Sequence, residues 1–269
     1  MPTIEYLVST AADGTPLEYF KTGTGPALLI THGSVATKEQ WIPASEVLAE
    51  RFTVYAYDRR GRGGSGDGET YSIATEVSDI STMLAVAGPA SHLLGHSYGA
   101  LCTLAYSRTQ GLGGGVHVAF EPPLAVDGPV AGDKLPGYAT LTEAGELDAA
   151  LEYALINFVR VPAQAIPFLR ETPIWSTSAP LTPTWVRELR EIDALGTDLT
   201  PYAAIADPTH LIAGTTTAPF LYRSAHELAH VIPGSTITDI DGADHFAHLA
   251  NPAGFADAVT AAIVGAARA

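Results

Sequence analysis

Leu93-Leu94-Gly95-His96-Ser97-Tyr98-Gly99-Ala100 joins an apolar run to a helix-compatible one through a serine with a glycine two residues away on each side. That spacing has a mechanical meaning. A serine on a tight strand-to-helix turn takes a backbone conformation that most residues disfavour, and side chains two positions away would collide across the turn. Gly95 and Gly99 leave the room. The turn lifts the Ser97 hydroxyl above the strand end, and the following helix aims its free N–H groups and partial positive charge at the same place. Glycine and serine are common, so the G-x-S-x-G spacing alone says little. The strand before it and the helix after it separate it from an ordinary glycine-rich turn. We read Ser97 as a nucleophile.

On both sides of this segment, short apolar runs alternate with amphipathic ones. Ala27–Thr31 reads as a buried strand ending at His32-Gly33. Residues 41–52 have helical composition, and 52–57 is strand-like and runs into Asp58. Val77, Ile80, Met83 and Leu84 recur at helical spacing, which predicts a helix over 75–86. Residues 91–95 and 116–120 read as strands around a helix at 99–108, and Thr209–Gly214 and 235–240 as strands before a final helix at 253–267. This alternation predicts an α/β fold with a mostly parallel sheet, helices on both faces and right-handed crossovers. Between 124 and 204 the pattern breaks. Leu147, Leu151, Leu155 and Phe158 mark one amphipathic helix and Trp185, Leu189 and Ile192 another, with five prolines from Pro162 to Pro183 cutting the region into short pieces. We expect residues 1–123 and 205–269 to form one core, and 124–204 a mostly helical insertion.

Composition narrows the function classes. The 269 residues suffice for a sizeable core, and 46% of them are hydrophobic. The net charge of −15 argues against nucleic acid or an anionic membrane as partner, since both need a cationic face. The single cysteine, Cys102, allows no internal disulfide. Residues 1–9 lack the pattern of a signal peptide, and no apolar run approaches the length of a membrane span. We expect a cytoplasmic enzyme acting on a small molecule. Residues 58–66 are rich in glycine and arginine but match neither nucleotide-binding glycine pattern, and their arginines are placed to pair with carboxylates. Asp244, His245 and His248 lack a further well-spaced ligand, so no metal is expected.

Four segments in order carry a family resemblance: His32-Gly33-Ser34 after a strand, Tyr57-Asp58-Arg59-Arg60-Gly61-Arg62-Gly63-Gly64-Ser65, the Gly95–Gly99 turn, and Gly242-Ala243-Asp244-His245-Phe246 followed by Asn251-Pro252. Together they resemble the α/β-hydrolase superfamily, in its serine-nucleophile members with a helical cap. The resemblance implies an α/β-hydrolase fold, no cofactor, and a cap at 124–204. The serine argues against epoxide hydrolase and dehalogenase chemistry, which in this family uses an aspartate at that position.

The base of such a site follows the acid in the chain and lies on a loop after the last strand. Of nine histidines, His245 meets both conditions. His248 would need a shifted loop. His226 and His230 read as surface residues, His96 as lining the pocket and His32 as ordering its loop, while His92, His117 and His210 fall in strands. The acid departs from the family's usual place, which falls near Thr217 with no carboxylate nearby. Some members carry it after the strand that follows the nucleophile helix, where this chain has Glu121. We therefore expect Ser97, Glu121 and His245 to form the triad, with Glu121 anchoring the insertion as the competing role. The oxyanion donors should be the N–H groups of Tyr98 and Ser34, with Val35 as the alternative to Ser34. Tyr138, Tyr153, Phe158, Phe168, Trp175 and Trp185 supply the insertion's own core and apolar pocket walls, which favours a small to medium, mostly apolar ester or lactone. A perhydrolase, a carbon–carbon hydrolase, a non-hydrolytic cyclase and a non-catalytic binding protein on the same fold compete with that reading.

Overall fold

Strand β3 (Ala27–Thr31) alternates its side chains across two apolar layers. Leu28 and Ile30 enter one, and Leu29 enters the other. Strands β4 (Thr53–Tyr57), β5 (His92–His96), β6 (His117–Phe120) and β7 (Thr209–Gly214) repeat this burial on both faces, and β8 (Thr236–Ile240) closes the parallel part. Near-continuous apolar runs are what a sheet covered on both sides requires. The sheet order is β1-β2-β4-β3-β5-β6-β7-β8, in which β1 (Glu5–Thr10) and β2 (Pro16–Thr22) are antiparallel additions at one edge. The computed structural model describes residues 3–266, so Met1, Pro2 and residues 267–269, including the expected last residue of the final helix, lie outside it.

Helices α1 (Ile42–Leu48) and α11 (Pro252–Ala266) cover one face, where Trp41, Leu48, Phe255 and Val259 meet Val118, Phe120 and Ile212. The other face is covered by α2 (Ile73–Ala87), α3 (Tyr98–Thr109) and α9 (Pro219–Val231). Helix α2 starts on a reciprocal cap, in which the Thr75 N–H donates to Ser72 Oγ and the Ser72 N–H donates to Thr75 Oγ1. The short α10 (Ala247–Ala250) follows the loop bearing His245.

Between β6 and β7 the chain forms short helices: α4 (Leu135–Glu143), α5 (Leu147–Ala154), a π-helical turn (Leu155–Val159), α6 (Ile166–Arg170), α7 (Pro173–Ser178) and α8 (Thr182–Ala194). Helices α4, α6, α7 and α8 each carry proline in the first turn, where its missing N–H costs nothing. Tyr138, Phe158 and Trp185 pack edge to face, with centroids 5.3 to 6.2 Å apart, and the Tyr138 hydroxyl donates to the Thr182 carbonyl at 2.7 Å. Among the described residues no helix is long and apolar enough to cross a membrane.

Candidate active site

Ser97 stands between β5 and α3 at φ 54°, ψ −125°. A non-glycine residue in that region costs of order 1–3 kcal/mol, which the surroundings must over-determine. The surroundings do so by proximity. A β-carbon at Gly95 would lie 2.2 Å from Thr103 Oγ1, and one at Gly99 would lie 2.2 Å from the Thr31 carbonyl oxygen. The two glycines are therefore required by the closeness of helix to strand. The Ser97 N–H donates to the Phe120 carbonyl at 2.9 Å, tying the turn to β6.

Five non-glycine residues take positive φ among those described: Val35, Ala90, Ser97, Glu121 and Arg160. All except Ala90 belong to the cavities or side chains around Ser97. Such clustering is a mark of functional sites.

Glu121 is fully buried at the carboxyl end of β6. Its Oε1 accepts from the Gly214 N–H at 2.8 Å, and its Oε2 accepts from the Thr217 hydroxyl at 2.9 Å and from His245 Nδ1 at 2.5 Å. Thr217, just past β7, thus supplies a hydroxyl to a carboxylate that directly follows the neighbouring strand β6. When Nδ1 donates this bond, the other ring nitrogen, Nε2, is the one a proton could be passed to, and no described residue occupies it. His245 and Ser97 line one cavity of about 20 Å³, though no hydrogen bond joins them. Such bonds are often long before substrate arrives. Asp239, Asp241 and Asp244 are engaged elsewhere, by Tyr222 and His226, by Thr215 and by the Phe246 N–H.

The other histidines near the site are held neutral. Burial lowers His96 well below its ordinary range, with His248 and His245 adding to the effect, and burial takes His248 down to about 3. His248 stacks on Trp41 at 4.4 Å. The neutral His96 donates from Nε2 to the His245 carbonyl at 3.0 Å and so fixes the backbone of the residue that touches Glu121. His32, also held neutral by burial, accepts the Arg59 N–H on Nε2 and donates from Nδ1 to the Gly33 carbonyl at 2.8 Å. That bond orders the loop bearing Ser34. A β-carbon at Gly33 would lie 3.0 Å from the Ser97 β-carbon, so this loop comes close to the serine. The N–H groups of Ser34, Val35 and Tyr98 find no acceptor among the described residues.

The insertion completes the walls. Phe158, Trp185, Leu189 and Ile192 face Ser97 across the small cavity. A second cavity of about 330 Å³ runs from Ser34 and His96 to Leu151, Leu155 and Trp175. A third, of about 550 Å³, lies beside His245 and is bordered by Arg160, Phe168 and Thr217. Phe168 is mostly exposed at this border, and Tyr153 packs on Tyr138 away from Ser97.

The arginine loop is occupied by carboxylates. Arg59 reaches Glu76 at 2.6 Å and Glu188 at 2.7 Å, Arg62 also binds Glu188, and Arg60 binds Asp79 at 2.7 Å. Glu188 comes from α8, so this network joins the insertion to the core. Sequence reasoning missed Glu188, Thr217 and Arg160. Only Thr217 had a signal, its place just past the strand that resumes after the insertion.

The chain belongs to the alpha/beta hydrolase family, whose model matches residues 28–258. Over 242 residues it is 25% identical to a 2-(acetamidomethylene)succinate hydrolase from Mesorhizobium japonicum, covering 86% of this chain and 85% of the relative. A solved alpha/beta hydrolase from Sphaerobacter thermophilus superposes with a TM-score of 0.86 at 29% identity, covering 95% of this chain and 99% of the other. An enol-lactonase from Burkholderia xenovorans shares the fold, with a TM-score of 0.78 at 20% identity over 96% of this chain and 100% of its own.

Proposed function

We propose that the protein is a serine hydrolase that cleaves a small to medium, mostly apolar ester or lactone through an acyl-enzyme on Ser97. One observation carries the reading: His245 Nδ1 lies 2.5 Å from the buried Glu121 carboxylate, while the same histidine and Ser97 wall one cavity. His245 takes the hydroxyl proton as Ser97 Oγ attacks the carbonyl carbon. The N–H groups of Tyr98 and Ser34 hold the oxygen that becomes negative. Protonated His245, stabilised by Glu121, returns the proton to the leaving oxygen as the carbon–oxygen bond breaks. Water then repeats the sequence and frees Ser97. The chain's own residues supply every proton step, so no cofactor enters this scheme. The small cavity and its apolar walls favour a short acyl group. The Mesorhizobium relative, a hydrolase by name, agrees with the general class.

Hydrolysis of a panel of activated esters of increasing acyl length tests this, with Ser97→Ala as control. We expect turnover to favour the short acyl groups and to fall by at least about 1,000-fold in the variant. Equal rates for both proteins would refute the serine mechanism.

A further inference from the structure

We infer that Arg160 is the binding residue for a carboxylate on the substrate's leaving group, so that the preferred ester is anionic at that end. The argument starts from charge. Acidic residues outnumber basic ones 29 to 14 in this chain. The three arginines of the 58–66 loop, Arg59, Arg60 and Arg62, are all taken by carboxylates. Arg160 has no carboxylate within ion-pair distance among the described residues, in a protein with acid to spare. It is the one arginine or lysine bordering the three cavities that reach Ser97, Ser34 or His245.

Its placement is built. The π-helical turn at Leu155–Val159 ends on Arg160, which takes φ 63°, ψ 36°. Both features are uncommon, and both concentrate where function needs a side chain aimed. The guanidinium lies 4.1 Å over the Phe220 ring. Phe220 itself walls the small cavity beside Ser97 and His245. Stacking on a ring holds the planar fork in place while its N–H edges stay free for a bidentate acceptor.

The cavity that Arg160 borders also contains His245, the proposed donor of a proton to the leaving oxygen. At about 550 Å³ it holds far more than the small cavity facing Ser97. The larger half of the substrate therefore goes there, with its anion on Arg160. Asp244 borders the same cavity, but its carboxylate already accepts the Phe246 N–H at 2.9 Å and caps the loop.

This inference rests on the hydrolase reading for the identity of the occupant as substrate, so its test has an arm independent of turnover. Two esters of matched shape, 4-acetoxybenzoate and 4-acetoxybenzamide, are compared as a ratio of kcat/KM in wild type and Arg160→Gln. We expect the anionic-to-neutral ratio to fall by about 10- to 100-fold in the variant, and Arg160→Lys to restore part of it. An unchanged ratio overturns the inference. Calorimetry with 4-hydroxybenzoate, on Ser97→Ala with and without Arg160→Gln, reads the same contact in a protein that turns nothing over. Weaker binding by the double variant supports the assignment even if neither ester is hydrolysed, which would count against the serine mechanism alone. Equal binding by both proteins overturns it.

Discussion

Two of the buried charge clusters among the described residues differ in where an unused bonding position lies. In the arginine loop, Arg59 and Arg60 each meet carboxylates through two or more nitrogens, and Arg62 and Arg59 share Glu188. None of the three arginines borders any of the three cavities described above. Around Glu121 the carboxylate is equally well supplied, with three donors, but its histidine keeps one ring nitrogen free and shares a cavity wall with Ser97. Both clusters are costly to bury and both are compensated. In the first, Glu188 ties α8 to the arginine loop and Glu76 and Asp79 tie α2 to it, and the two buried atoms left without a partner, Arg62 Nε and Glu188 Oε2, border none of the three cavities. The second stops one bond short, at a histidine that lines the same cavity as Ser97. Charge burial therefore does not separate structure from chemistry in this chain. An unused proton acceptor beside a cavity does.

The largest effect that would break this contrast comes from Glu121→Gln. The amide keeps the size and removes the charge that stabilises protonated His245, so kcat should fall by about 100- to 10,000-fold. Circular dichroism should confirm the fold is retained. Full activity would place Glu121 with the structural cluster. In the arginine loop the expected pattern is opposite. Glu188→Gln leaves Arg62 without its carboxylate and Arg59 with only Glu76, and should cost about 3 kcal/mol in urea unfolding. Ester turnover per folded molecule should stay within about twofold. A large loss of kcat without loss of stability would mean that this network also serves the chemistry.

How much of this was legible depended on how local the cause was. The elbow was readable because its demand for space falls on residues two positions away, and β3 and β7 because a strand covered on both faces is a continuous apolar run. Strand β1 offered no such cue. Tyr6, Leu7 and Val8 are exposed on an edge, so no core face imprints an alternation there. The contact between Glu121 and His245 had its cue in the resemblance, in which some members carry a carboxylate after the strand that follows the nucleophile helix. The partners of the arginine loop were only half readable. Glu76 is near in the chain, but Glu188 lies 129 residues from Arg59, on a helix whose pattern reports its apolar face alone. The aromatic residues of the insertion had to be sorted in space. Phe158 and Trp185 wall the cavity beside Ser97, Phe168 stands at the border of another, and Tyr153 packs within the insertion.

Thr217 gives the finest test of the contrast. Its hydroxyl donates to Glu121 Oε2, the same oxygen that holds His245 Nδ1. Removing this donor leaves Oε1 on the Gly214 N–H and Oε2 on His245 Nδ1 alone, so the carboxylate stays buried and bonded but is held less firmly against turning. Thr217→Val is nearly the same shape and lacks only the donor. If the hydrogen bond serves to point Glu121 at His245, kcat should fall about threefold to tenfold with KM little changed, and Thr217→Ser should recover the loss because it restores the hydroxyl. If the bond serves only to compensate a buried charge, stability should drop by about 1–3 kcal/mol in the valine variant while kcat per folded molecule holds. The split between kcat and stability in the valine variant separates the two outcomes, and the serine variant, which restores the hydroxyl under either, checks that the effect belongs to the oxygen and not to the shape of the side chain.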